Sequence, residues 1–103
     1  MKFTTELRDE ILTFKINSGE ELIAKVLEVY DDYMMLGMPV SVAPGPQGMN
    51  LMPSFFTADR DESVRINTSA IAMVAQTDDG VKVKYIEAVS GISVPPKKKL
   101  ILG

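Results

Sequence analysis

The spacing of apolar positions along the chain changes period several times. Phe3 and Leu7 stand four apart, with Thr4 and Thr5 available as caps, which predicts a short helix over residues 4–10. From Ile11 the period falls to two. Leu12, Phe14 and Ile16 alternate as one face of a strand, and Asn17-Ser18-Gly19 closes it with a tight-turn signal. A second strand is predicted over residues 21–30, with Leu22, Ala24 and Val26 on one face and Ile23, Leu27 and Val29 on the other. Apolar residues on both faces predict that this strand is covered on both sides.

Asp31-Asp32 breaks the second strand. A third, over residues 33–42, is interrupted by Gly37 and Pro39, as a strongly bent or bulged strand is. Ala43-Pro44-Gly45-Pro46-Gln47-Gly48 reads as a loop, and a fourth strand returns over residues 49–56. Asp59-Arg60-Asp61-Glu62 reads as an exposed turn, after which Val64-Arg65-Ile66 is extended. Asn67-Thr68-Ser69 is a short turn before a last strand over residues 70–75. Thr77-Asp78-Asp79-Gly80 then has the composition of a cap. Val81, Tyr85, Ala88, Val89 and Ile92 form a helical stripe ending near Gly91, although Val81, Val83 and Tyr85 also alternate. Helix is the preferred reading of that segment.

No repeat or linker divides this pattern, and 103 residues suffice for one domain, 1–103, with its core at about 4–76 and a C-terminal extension at 77–103. The absence of cysteine excludes disulfides and thiolate metal sites and points to a reducing compartment, the cytoplasm by expectation. The absence of histidine removes the commonest general base and metal ligand, and with it any Ser-His-Asp arrangement. No carboxylate pair has an acid–base signature. Asp59-x-Asp61 lacks the remainder of a calcium loop, and no glycine-rich phosphate loop occurs. The expectation is a protein that is not an enzyme and has no cofactor and no metal. The opening residues do not form a secretory leader, and no apolar run is long enough to cross a bilayer.

The net charge of −3 argues against a general polyanion binder. The one basic cluster, Lys97-Lys98-Lys99 after Pro95-Pro96, is either a solvated tail or a phosphate-contacting arm. Met34, Met35, Met38, Met49 and Met52 crowd one segment, either filling an irregular core or forming an adaptable contact surface. Ala70-Ile71-Ala72-Met73-Val74-Ala75 carries no charge and no proline. At an open sheet edge such a run invites aggregation, so it is expected to be central, covered or paired with another chain.

A short helix, five strands, one tight glycine turn and one long loop resemble the order of the Sm-like family, which includes the Sm, LSm and Hfq proteins. In the first family motif, Gly19 is followed by Leu22 and Val26 at the family offsets. Asp31, Tyr33 and Met34 then match Asp, aromatic and Met after one extra residue, while Ala24 replaces the second glycine and Met35 the asparagine. In the second motif Ile66, Ile71 and Val74 keep the apolar positions, and Asn67-Thr68 replaces Arg-Gly. The resemblance covers about residues 4–76. It implies a mostly β fold: a strongly bent five-stranded antiparallel sheet, or small open barrel, with a short N-terminal helix and a helical or irregular C-terminal extension.

The same resemblance implies a homo-oligomeric ring of five to seven subunits, closed by pairing the fourth strand of one subunit with the fifth of the next. Ile71 and Met73 would then lie at the subunit interface. It also implies binding of single-stranded nucleic acid, RNA ahead of DNA, at the turns carrying Tyr33 and Met35 and carrying Asn67 and Thr68. Tyr33 suits base stacking, Asn67 a base edge, and Arg65 or Lys25 a phosphate. The alternative is a structural or protein-interaction ring without a nucleic-acid role, which the acidic balance favours.

Overall fold

The computed structural model describes residues 3–46 and 48–93. Gln47 and the Lys97–Lys99 cluster lie outside the described residues. The chain forms strands β1 (Ile11–Ile16), β2 (Glu21–Val29), β3 (Tyr33–Gly45), β4 (Gly48–Pro53), β5 (Val64–Asn67) and β6 (Ile71–Gln76), followed by helix α1 (Asp79–Ser93). All pair antiparallel in one six-stranded sheet of order β4-β3-β2-β1-β6, with β5 also on β3.

The expected sheet had five strands, and the sixth arises from the length of β3. At 13 residues it outruns any single partner. Its first residues, Tyr33–Leu36, carry β5, and Val40–Gly45 carry β4 on the same edge. Between these ladders the strand bends. Ile23 pairs with Val40 and Lys25 with Gly37, so Ala24 alone faces both Met38 and Pro39. Met38 takes φ 50°, a left-handed conformation that turns the strand. The expected loop over 43–48 is therefore a tight hairpin end, since β3 runs to Gly45 and β4 starts at Gly48. The sheet does not close into a barrel. β6 ends it on one side and β4 and β5 on the other, with no ladder joining them among the described residues.

The bend gives the sheet two apolar faces. Leu12, Phe14, Leu22, Ala24, Val26, Val29, Met34, Leu36 and Ile71 are buried on one, with Phe3, Leu7, Ile66 and Val74 against them. Ile23, Val40 and Tyr85 are buried on the other, where α1 supplies Val81, Tyr85 and Val89. The two-sided pattern of β2 has its cause here: Ile23 packs toward α1 while Leu22, Ala24 and Val26 pack away from it.

The N-terminal helix expected over 4–10 is a single 3₁₀ turn, Thr5–Leu7, with no side-chain cap bond. One turn is too short to offset helix nucleation, and Asp9 at φ 68° swings the chain into β1. Asp9 N–H donates to the Val26 carbonyl at 2.7 Å and Val26 N–H to the Glu10 carbonyl at 2.9 Å, tying this entry to β2. The β1–β2 turn uses Gly19 at φ 96°, the positive φ that its sequence called for.

The C-terminal stripe is helical, as preferred from its spacing, and runs past Gly91 to Ser93. Asp78 caps it, its Oδ2 accepting from Val81 N–H at 3.2 Å. Tyr85 anchors the helix to the bend in β3. Its hydroxyl lies 3.1 Å from the Gly37 carbonyl oxygen and 2.8 Å from that of Met38, the residues at the bulge. Burial holds the Tyr85 phenol at about 12, opposed by a hydrogen bond with the Lys25 backbone. Just after β6, Thr77 is buried, its hydroxyl donating to the Ile11 carbonyl at 3.1 Å and lying 2.9 Å from the Thr13 hydroxyl.

Candidate nucleic-acid interface

The ladder between β3 and β5 assembles most of the residues singled out from the sequence. Tyr33 stands opposite Asn67, and Met35 opposite Arg65. Directly opposed residues on antiparallel strands project to the same face, so these four form one patch. The intervening residues, Met34, Leu36 and Ile66, point to the core. Strand alternation thus separates an apolar inner row from an outer row of aromatic, thioether, guanidinium and amide groups.

The patch is ordered by its own contacts. Arg65 places its Cζ 3.9 Å from the Tyr33 ring centroid. Its Nε donates to Asn67 Oδ1 at 3.3 Å. Tyr30 also stacks on Tyr33, with ring centroids 4.6 Å apart and planes inclined by 20°. The tight turn Asp31-Asp32 makes this possible, with Tyr30 N–H donating to the Tyr33 carbonyl at 2.9 Å. The sequence reading passed over Tyr30. The signal was present in two tyrosines flanking a two-residue acidic turn, since a hairpin that tight sets its flanking residues face to face.

The remaining candidates lie elsewhere. Thr68 is buried beneath the patch, and its N–H donates to the Asp32 carbonyl at 2.9 Å, so it braces the turn. Lys25 lines a wide cleft of about 540 Å³ beside α1, together with Tyr85 and Ile86. Ile71 and Met73 separate: Ile71 is 4% exposed in the core and Met73 is 63% exposed. A shift in register between Lys15 and Ile16 explains their separation, because it breaks the alternation between Ile71 and Met73. β6 itself occupies an end of the sheet, paired to β1.

The methionine segment also divides. Met34 is fully buried and Met38 packs under α1, whereas Met49 and Met52 are exposed on β4, followed by exposed Phe55 and Phe56. Charge near the patch is mixed. Arg65 is cationic, Asp31 and Asp32 are exposed at the turn, and Glu28 pairs with Arg8 at 3.3 Å. Among the described residues no group of His, Cys, Asp or Glu is arranged to hold a metal ion, and no helix is long and apolar enough to cross a membrane.

No protein-family model matches the chain, and no curated protein matches it. The functional reading therefore rests on the chemistry of the patch and on the sheet that presents it.

Proposed function

We propose that this chain is a ring-forming Sm-like protein that binds single-stranded nucleic acid, RNA ahead of DNA, in the cytoplasm. The observation that carries the reading is the joining of Tyr33, Met35, Arg65 and Asn67 on one outward face of the β3–β5 ladder. Aromatic rings recognise unpaired bases by stacking, guanidinium groups pair with phosphate or stack, and amides read base edges. Supporting the Sm-like reading are the antiparallel pairing of every strand and the strong bend within β3.

Assembly in this reading joins β5 of one subunit to β6 of the next. Both are end strands here, and an end strand carries unpaired N–H and C=O groups that a second chain can satisfy. Such a contact is heterologous, and it closes into a ring when the rotation per subunit divides a full turn. A ring of five to seven subunits brings one patch per subunit around a common axis, so weak individual contacts add through multivalency.

The test is titration of labelled oligo-U and oligo-A at low salt, followed by anisotropy, with light scattering in parallel. Binding that weakens with Asn67→Ala, in protein that remains folded and assembled, is the expected result. Absence of oligonucleotide binding by the unaltered protein refutes the nucleic-acid reading, and a clean monomer of 11.3 kDa at micromolar concentration refutes the ring.

A second reading has an observation of its own. Met49, Met52, Phe55 and Phe56 form an exposed apolar run on β4 and the segment after it. Flexible thioethers beside aromatics suit a protein partner better than a polyanion. In that case the ring is an assembly module, it forms normally, and oligonucleotides do not bind it.

A further inference from the structure

The Tyr33 ring has groups on both of its faces. Tyr30 stacks nearly parallel to it at 4.6 Å, and the Arg65 guanidinium lies 3.9 Å from its centroid. Two planar groups at these distances cannot share one face of a six-membered ring without overlapping. The topology gives the same answer. Within the sheet β3 runs between β2 and β5, Tyr30 follows directly on β2, and Arg65 belongs to β5. The two side chains therefore approach Tyr33 from opposite sides, giving a stack of Tyr30, Tyr33 and Arg65.

This arrangement shifts the site. A base cannot insert against Tyr33 without displacing one of its neighbours, and each displacement gives up a stacking or cation–π contact. Tyr30 has only one face covered in this way and is 46% exposed. We infer that Tyr30, and not Tyr33, is the surface on which an unpaired nucleobase stacks, with Tyr33 and Arg65 holding it as positioning residues. The inference rests on the nucleic-acid reading above and changes which residue meets the ligand.

The surroundings favour a base over a phosphate as the group recognised here. Exposed Asp31 and Asp32 follow Tyr30 directly, and a phosphate placed beside them meets like charge. A base has no charge to repel, and its π-face gains from the ring whatever its sequence. Contact at Tyr30 is thus dominated by stacking and depends only weakly on salt, since few counterions are released.

The chain contains no tryptophan, so Tyr30→Trp introduces a single fluorescent reporter at the proposed surface. The experiment compares the unaltered protein, Tyr30→Trp and Tyr30→Ala by anisotropy with labelled oligo-A, each checked for folding by circular dichroism and for size by light scattering. Expected are binding by Tyr30→Trp with fluorescence quenched as the oligonucleotide saturates it, and a loss of about tenfold or more in affinity for Tyr30→Ala. If the unaltered protein binds but Tyr30→Ala binds within twofold of it, or the tryptophan stays unquenched at saturation, the inference is overturned while the nucleic-acid reading stands. If the unaltered protein does not bind, both fall.

Discussion

Removing one oxygen atom from α1 tests how the bent sheet is held. Tyr85→Phe keeps the ring, which is 2% exposed in the layer between α1 and the sheet, and deletes the hydroxyl near the Gly37 and Met38 carbonyls. Withdrawing a donor from a buried acceptor costs about 1–3 kcal/mol, and no cavity beyond the hydroxyl is created. The loss should appear in urea unfolding at pH 7 as a lower midpoint with an unchanged slope. A second signature comes from pH. The phenol titrates near 10 when unfolded and near 12 when folded. Its contribution is complete below pH 10. Between pH 10 and 12 the unfolded chain has released this proton and the folded chain retains it, so stability falls by about 1.4 kcal/mol for each pH unit. Tyr85→Phe lacks this component, so the two proteins should converge as pH rises through that window. A variant as stable as its parent at pH 7, with a parallel pH profile, would refute the anchoring role of Tyr85.

Two further substitutions distinguish folding from assembly. Ile71→Asp places a charge in the core and should unfold the chain, because an unpaired buried charge costs several kcal/mol, whereas Met73→Asp, at an exposed position, should leave the circular dichroism spectrum intact and shift light scattering toward the monomer. A folded Ile71→Asp would contradict the core assignment, and an undiminished assembly in Met73→Asp would place the interface elsewhere. Thr77→Val removes the buried hydroxyl that joins the end of β6 to β1 and should lower stability by about 1–2 kcal/mol in thermal or urea unfolding; no measurable change would mean that water replaces the bond.

Local periodicity marked most of the elements because it reflects which face of each strand must avoid water. Leu12 and Phe14 alternate in sequence and are both buried, and the spacing of Val81, Tyr85 and Val89 matches the face that α1 sets against the sheet. Gly37 and Pro39 marked where β3 would bend, and Asp78 supplied the cap of α1. Their chemistry acts within a few residues, so the sequence suffices to read it.

Properties that depend on pairing distant residues came only from the tertiary structure. Strand number changed from five to six because β5 found a ladder on the first half of β3, a choice set by the length and bend of β3 and not by Val64–Asn67 themselves. The N-terminal segment reached only one 3₁₀ turn because its backbone bonds to β2 replaced those a longer helix would have made. The candidate site followed the same division. Tyr33, Met35, Arg65 and Asn67 were identifiable as residue types suited to a base, but register alone placed them on one face, left Thr68 beneath it and brought Tyr30 onto Tyr33. A sequence specifies which side chains seek water and where the backbone can turn. Which distant side chains become neighbours is decided by strand pairing, where a shift of one residue reverses every face.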